Sequence, residues 1–323
     1  MRLTEKQAIE IAQAIYGKQD ERVKQIEQLY KNNQQDVIDM IASFVASDLA
    51  WNSNANPDDV ATVLSNIKET FENVSKDDQS FIRTAFNGKK LNTNGNVLTA
   101  KITQEFVRQM LIQKVQITVS TEYIPDVVHS KNYKSAKKKI NTYNRKTKRS
   151  ISIDSILQRS ARNAVLDRHV DSNMFSSINK QTLQIIRRVN EVAERAAKSP
   201  KDSLNWQKEV ANILTGGSKS TNGQMGRAAG MVRTATAQTL NRTRLEQFKD
   251  DKVKKYKFIS LEAPTTCQDC ASLDGNIYNV ADAEEGVNFP LMHYNCQCTV
   301  IEANSDNDWD TSDHDVSEEL EKL

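Results

Sequence analysis

Four cysteines and one histidine near the C-terminus are the residues of this chain best suited to chemistry. All four cysteines of the 323-residue chain lie between positions 267 and 298. Cys267 and Cys270 are two residues apart, and a turn of that length can direct both sulfurs at one ion. His293, Cys296 and Cys298 follow as an H-x2-C-x-C segment. This spacing predicts a structural zinc site.

The spacing offers one donor more than a structural zinc ion needs, since such an ion takes four ligands. We expect Cys267, Cys270 and His293 to bind, with either Cys296 or Cys298 completing the set. The alternatives are two disulfides, or four unrelated buried thiols. The polar N-terminal segment MRLTEKQAIEIAQ lacks the apolar core of a signal peptide. Synthesis in a reducing cytoplasm is therefore expected, where clustered cysteines are more often metal ligands.

A catalytic zinc would need a different pattern. Deaminase sites combine H-x-E with P-C-x-x-C, but Thr266 precedes Cys267, and the upstream His169-Val170-Asp171 has Asp in place of Glu. The H-E-x-x-H pattern of zinc proteases is absent. Several thiolate ligands would also weaken the Lewis acidity that a hydrolase uses. The sequence thus predicts no enzyme and no catalytic residue.

Composition favours a mainly helical protein. Hydrophobic residues make up 38% of the chain and charged residues 27%, with only 10 Gly and 5 Pro. Proteins rich in tight turns need more of both, whereas long helices tolerate few. No apolar run approaches the roughly 20 residues of a membrane span, so no membrane partner is expected. The net charge of +2 supplies no global attraction to nucleic acid.

Apolar periodicity and capping signals place most of the predicted helices. Thr4 and Gln7 form a capping box, and Pro57 and the Ser75–Asp78 pair mark two further helix starts. The predicted helical stretches are 4–50, from 57, from 75, 97–114, from 153, 174–198, 203–214 and 227–249. The segment GGSKSTNGQMG is predicted to be a linker before the last of these helices.

Short strands are expected where the pattern changes. Residues 116–124 alternate polar and β-branched side chains and predict a strand or extended link. After position 250 the predicted strands are 255–261, 277–278 and 299–301, with a turn at Asp274-Gly275 in which glycine supplies the positive φ. The predicted fold is mainly α with a small α+β, zinc-stabilised C-terminal module.

Within the C-terminal third, an ordered series of motifs resembles the phage head morphogenesis family typified by phage Mu protein F. The resemblance covers about residues 205–303. As it maps here, the family pattern is an Arg-Thr pair in a helix, then T-C-x-x-C, L-D-G and H-x-x-C-x-C. These places are filled by Arg233-Thr234, Thr266-Cys267, Cys270, Leu273-Asp274-Gly275, His293, Cys296 and Cys298. The chain departs from the family at Ala235, usually Glu, and at Gln297, usually Arg.

The resemblance implies a structural role in the virion. Members of this family are minor head proteins of tailed phages that associate with the portal protein inside the capsid, near the exiting DNA. Some affect head assembly or DNA ejection. The implied partners are the portal protein, the major capsid or scaffold protein, and packaged double-stranded DNA. Arg233 and Thr234 are candidates for fixing the last long helix to the zinc module.

A basic run precedes the family-like region and an acidic tail follows it. Residues 131–149 carry nine basic residues and no acidic one, and Tyr133 and Tyr143 could stack on bases. DNA phosphate is one candidate partner, and a solvated helix face or linker is the alternative. The candidate DNA contacts are Lys137, Lys138, Lys139, Arg145, Lys146, Lys148 and Arg149. Residues 304–323 carry eight acidic residues and predict a disordered tail.

These observations divide the chain into four predicted regions. They are a helical N-terminal region (1–125), a basic linker and helical middle (126–204), a head-morphogenesis domain (205–303) whose zinc module spans about 250–303, and an acidic tail (304–323). The function predicted is that of a portal-associated minor capsid protein. The alternative is a zinc-dependent nuclease, which would lose turnover on replacing Asp269 or His293, or a DNA-binding protein acting on phage DNA.

Overall fold

Helices dominate the structure, as the composition predicted. The computed structural model describes residues 3–47, 49–147, 169–171, 173–199, 203–216, 223–261 and 267–303. Within these ranges the N-terminal helices are α1 (Glu5–Ala46), α2 (Pro57–Glu72), α3 (Lys76–Ala85), α4 (Asn94–Thr121), α5 (Ile124–Val128) and α6 (Tyr133–Thr147). They are followed by α7 (Asn173–Lys198), α8 (Ser203–Leu214) and α9 (Gly223–Asp250).

Helix α1 is a single helix of 42 residues that begins as predicted. The Thr4 side chain accepts a hydrogen bond from the Gln7 backbone, and the Gln7 side chain accepts one from the Thr4 backbone. Its apolar stripe is buried along its length, from Ile11 at one end to Ile41 at the other. Because helix termini leave backbone N–H groups without partners, this capping box fixes where the helix starts.

Helix α4 corrects the prediction of a strand or extended link at 116–124. The helix continues to Thr121 and packs against α1, α7 and α9, and its residues from 115 onward are all buried. A helix with no solvent face carries no apolar-polar periodicity, so its β-branched residues imitate a strand pattern. The hydroxyls of Ser120 and Thr121 donate to the Ile117 carbonyl, which satisfies them inside the helix.

The central core lies where α1, α4, α7 and α9 pack together. Helices α7 and α8 agree with the predicted 174–198 and 203–214. Helix α9 begins at Gly223 instead of 227, so the GQMG end of the predicted linker is helical. Positions 217–222 of that linker, and the acidic tail, lie outside the described residues. No helix that the structure describes is both long and apolar enough to cross a membrane.

A small sheet follows α9 and confirms the predicted strands. Its elements are β1 (Lys255–Ile259), α10 (Gln268–Leu273), β2 (Ile277–Asn279), a 3-10 turn (Val280–Asp282) and β3 (Thr299–Glu302). The strand order is β2-β1-β3, with both pairs antiparallel. Gly275 has φ 77° in the turn before β2, as predicted.

The sheet is anchored to the helices on two sides. Phe248 of α9 packs with Tyr256, Phe289 and Val300 in one apolar cluster. Ala8 of α1 packs with Ile259 and Ile301 in another. The N-terminal helix and the C-terminal sheet therefore share buried surface, although some 250 residues of sequence separate them.

Candidate metal centre

The Cys267–Cys270 pair is positioned by the start of helix α10. Cys267 is the N-cap residue of this helix, and its Sγ accepts a hydrogen bond from the Cys270 backbone N–H at 3.3 Å. The Cys270 side chain is buried, whereas that of Cys267 is partly exposed. The two-residue spacing therefore places one sulfur at the surface and one beneath it, both on the side where His293 lies.

His293 presents one ring nitrogen to these two sulfurs. Its Nε2 lies 3.2 Å from Cys267 Sγ and 3.3 Å from Cys270 Sγ. Its Nδ1 lies 2.9 Å from the Tyr294 carbonyl oxygen. A proton on Nδ1 donated to that carbonyl leaves the lone pair of Nε2 directed at the sulfurs, which is the tautomer that binds a metal ion.

Cys296 and Cys298 lie deeper, and both side chains are buried. Cys296 Sγ is 3.9 Å from Cys270 Sγ and accepts a hydrogen bond from the Cys298 backbone N–H at 3.4 Å. The five donors form two triads, each with its ligand atoms within 4.8 Å of one another. One triad is Cys267, Cys270 and His293, and the other is Cys270, Cys296 and Cys298. Cys270 is common to both, and all four cysteines are free thiols.

Each triad, taken separately, fits a zinc ion in both chemistry and spacing. Two ligands of one tetrahedral zinc ion lie about 3.8 Å apart if both are sulfur and about 3.6 Å apart if one is nitrogen. The Cys270–Cys296 distance of 3.9 Å and the two sulfur–nitrogen distances of 3.2 and 3.3 Å are close to these values. N–H groups donated to Cys267 and Cys296 also favour the thiolate form that a metal requires.

The pKa values of the thiols follow from these contacts. A hydrogen bond from the Cys298 side chain, together with backbone N–H groups, lowers the pKa of Cys296 to about 5. The backbone N–H of Cys270 lowers the pKa of Cys267. Burial raises the pKa of Cys270 to about 12 in the absence of a cation. The centre therefore favours a positive ion that would replace the proton of Cys270.

Two helices hold the inner end of this cluster through one carbonyl group. The Cys298 carbonyl accepts hydrogen bonds from the Tyr16 hydroxyl of α1 at 2.9 Å and from Asn241 Nδ2 of α9 at 3.0 Å. Both donors are buried, and Thr299 Oγ1 donates to Asn241 Oδ1 at 3.1 Å. The H-x2-C-x-C segment is therefore fastened directly to the helical core.

The comparison with known families agrees with the motif series. Residues 176–301 match the family model described as Phage Mu protein F like protein. This part of the chain is similar to that family. No curated protein and no solved structure matches the chain. The similarity indicates a structural protein of the phage head. The matched residues, here named the Mu F-like region, run from α7 to β3 and include the whole candidate centre.

The Arg-Thr pair of the Mu F-like region has two different roles. Thr234 Oγ1 accepts a hydrogen bond from the Asn295 backbone N–H at 3.0 Å, so it fixes α9 to the H-x2-C-x-C segment as expected. Arg233 instead forms an ion pair with Asp20 of α1 at 3.8 Å. The pair lies eleven residues inside α9 because that helix begins at Gly223. Ala235, which replaces the usual family Glu, is fully buried.

Tyr294 adds a further contact between the loop and α9. Its hydroxyl donates to the Arg227 carbonyl at 2.6 Å. The ring lies over Gly230, where a Cβ atom would be 2.4 Å from Tyr294 Cε1. Only glycine admits this approach of ring and helix.

Substitution of Gly230 by Ala is therefore expected to destabilise the protein, although the same change usually stabilises a helix interior. The usual gain is about 1 kcal/mol. We expect a loss of about 1–2 kcal/mol instead, because the ring must move and its hydrogen bond must break. Gly17 of α1 is the matched control, since a Cβ there meets nothing within 4 Å. Urea unfolding of both variants measures the difference, and equal stabilisation by the two would contradict the role of Gly230.

The candidate DNA contacts of the basic run are largely engaged or outside the described residues. Lys137 lies 3.4 Å from a Glu10 carboxylate oxygen and over the Tyr133 ring, and Lys139 donates to the Asp126 carbonyl. Lys138 is exposed. Arg145 and Lys146 belong to α6, and Lys148 and Arg149 fall outside the described residues.

Sequence reasoning missed Tyr16, Asn241 and Arg244, which hold the H-x2-C-x-C segment and the adjoining strand β3 to the helices. Asn241 and Arg244 share one face of α9 with Gly230 and Thr234, as their spacing of three, four and seven residues requires. That spacing of polar residues in a buried helix was the available signal. No local sequence signal indicated the role of Tyr16, because its partner Cys298 is 282 residues away.

Proposed function

We propose that this chain is a structural protein of a tailed-phage head that associates with the portal protein inside the capsid and contacts packaged double-stranded DNA. The similarity of residues 176–301 to the Mu F-like family carries the proposal. The shared core of α1, α4, α7 and α9 supports it, because the Mu F-like region is packed against N-terminal helices instead of being an independent module.

A zinc ion is the second part of the proposal. Cys267, Cys270 and His293 would hold it, with Cys296 as the fourth ligand, since Cys296 Sγ is 3.9 Å from Cys270 Sγ and accepts an N–H group. Binding would draw Cys296 Sγ toward the other three donors, because the four atoms do not all lie within 4.8 Å of one another. When bound, the ion would supply a cross-link between α10 and the H-x2-C-x-C segment. A module with only a small apolar core gains stability from such a cross-link.

The surroundings of the donors favour a structural site over a hydrolytic one. Neither triad includes a carboxylate, and Asp269, the nearest acidic residue in sequence, is exposed. The inner end of the cluster is tied to α1 and α9 by Tyr16 and Asn241. Because these hydrogen bonds join the centre to α1 and α9, the centre is suited to fixing the positions of those helices.

Co-expression with the portal protein of the same phage tests the head-assembly proposal. We expect the two proteins to elute together in a fixed ratio on size-exclusion chromatography at low and moderate salt. The control is the portal protein of an unrelated phage, which should elute separately. Separation of the cognate pair at both salt concentrations would reject the portal association.

A further inference from the structure

A cationic cleft lies between α7 and the first turn of α9, away from the cysteine cluster and from the basic run. Its volume is about 470 Å³. Four basic side chains line it, and no acidic residue does so: Lys180, Arg187, Arg188 and Arg227. Such a concentration of one charge on a chain with a net charge of only +2 calls for a compensating anion.

Three of these cations have no carboxylate within ion-pair distance among the described residues. Arg187 alone has a partner, Glu191, at 3.2 Å. Lys180, Arg188 and Arg227 are exposed. The Arg227 backbone is held by the Tyr294 hydroxyl, so the side chain projects from a fixed point. Lys180, Arg188 and Arg227 are therefore available to a ligand without first breaking an internal ion pair.

Gln224 provides an independent indication of a ligand. This residue lines the cleft, is only 8% exposed, and its Oε1 has no hydrogen-bond partner among the described residues. A buried polar atom without a partner costs about 1–3 kcal/mol. Rotation of the carboxamide exchanges its oxygen and nitrogen positions, so the side chain can also offer N–H donors to an anion in the cleft.

The start of α9 adds positive potential at the same place. Gln224 and Arg227 belong to the first turns of this 28-residue helix, whose first turn contains no acidic residue. Free backbone N–H groups at a helix N-terminus favour anions, and phosphate in particular. The basic side chains, the buried Gln224 carboxamide and the N-terminus of α9 thus all favour a negatively charged ligand.

We propose that this cleft binds the phosphodiester backbone of double-stranded DNA. Lys180 and Arg188 lie eight residues apart along α7, which is about 12 Å of helix axis. That separation spans several phosphates of one strand, which are spaced about 3.4 Å along the duplex axis. An acidic polypeptide would also need apolar anchoring, and few apolar side chains line the cleft.

The inference rests on the proposed function only for the identity of the anion, because packaged DNA is the phosphate polymer of a phage head. The geometry requires no base contact, so the binding should be independent of DNA sequence and strongly dependent on salt. The DNA contact would then lie on residues that are distant from one another in sequence, instead of on the basic run at 131–149.

Fluorescence anisotropy with a duplex of about 30 base pairs, at salt concentrations from about 50 to 200 mM, tests the proposal. The test variant is Arg188→Gln/Arg227→Gln. Loss of two phosphate contacts should reduce the slope of log affinity against log salt by about 2 and weaken binding roughly 10- to 60-fold near 0.1 M salt. All variants are exposed-site changes, and circular dichroism confirms their folding.

Two charge-matched controls define the outcomes. Lys24→Gln/Lys31→Gln removes two exposed cations of α1 and should bind DNA like the wild type. Lys137→Gln/Lys138→Gln tests the basic run. Equal affinity and salt slope for the cleft variant and the α1 control would overturn the proposal, as would tighter binding of poly-glutamate than of DNA at equal charge. Portal co-elution by the cleft variant separates this result from failure of the head-assembly proposal.

Discussion

Replacement of Cys270 by Ser is expected to abolish zinc binding by the purified protein. Cys270 belongs to both triads, and its Sγ lies 3.3 Å from His293 Nε2 and 3.9 Å from Cys296 Sγ. Without the Cys270 sulfur neither triad is complete. The wild type should contain about one zinc ion per chain, and the variant less than about a tenth of that.

The expected effect on the C-terminal module is large, because structural zinc contributes an apparent ~10–16 kcal/mol on binding. Loss of the ion should expose the region after residue 250 to proteolysis, whereas most of the helical circular dichroism remains. The helical signal comes from α1, α4, α7 and α9, whose core contains none of the cysteines. Collapse of the whole spectrum would show that the module is not separable from the helices.

Cys298→Ser is the matched control for Cys270→Ser. Cys298 is equally buried, but we assign its backbone N–H, instead of its sulfur, to the site, as a donor to Cys296 Sγ. This variant should retain about one zinc ion per chain when measured by metal analysis after gel filtration. Retention of zinc by Cys270→Ser, or its loss from Cys298→Ser with retention in Cys296→Ser, would show that the ligand assignment is wrong.

Substitution of Arg244 by Met is expected to lower the free energy of unfolding by about 2–4 kcal/mol. Arg244 is 5% exposed and donates to Thr299 Oγ1 at 2.6 Å, to the Val300 carbonyl at 2.7 Å and to the Ala8 carbonyl at 3.2 Å. It therefore joins α1, α9 and β3 through one side chain. Removal leaves three buried acceptors without this donor.

The cost is smaller than the sum of the three hydrogen bonds, because burial of the charge is itself unfavourable. Desolvation lowers the pKa of Arg244 to about 10, which offsets part of the gain. Methionine fills a similar volume, so the measurement reports mainly on the lost donors. Urea unfolding followed by circular dichroism, with zinc present throughout, gives the difference in stability.

Arg187→Met provides the comparison for Arg244→Met. Arg187 has an 81% exposed side chain and one ion pair with Glu191 in the next turn of its helix. Its replacement should change the free energy of unfolding by less than about 0.5 kcal/mol. Equal effects of the two substitutions would mean that Arg244 does not join the three elements in solution.

Local sequence signals predicted much of the fold and the residues of the candidate centre. The capping box at Thr4, the strands after position 250 and the turn at Gly275 each depend on neighbours a few residues away. The C-x-x-C and H-x-x-C-x-C spacings belong to the same class of signal, since backbone geometry over three or four residues decides whether sulfurs converge. The family resemblance rested on the order of such motifs.

The sequence-based predictions that were wrong or incomplete share a physical cause, which is contact with parts of the chain that are distant in sequence. Residues 116–121 are buried by parts of the chain distant in sequence, such as Arg22 of α1, which donates to Gln116, and Tyr143 of α6, which donates to the Val119 carbonyl. No periodicity within the segment indicates those neighbours. The partner of Arg233 is Asp20 of α1, which is likewise distant in sequence.

By itself, the sequence determined which residues can bind a metal ion, where most helices and strands lie, and to which family the C-terminal third is related. Only the tertiary structure decided that Cys270 is common to both triads and that Tyr16, Asn241 and Arg244 hold the centre to two helices. It alone also brought Lys180 and Arg188 together with Arg227 in one cleft. Donor type and spacing are properties of short segments, whereas convergence of side chains requires the packing of whole helices.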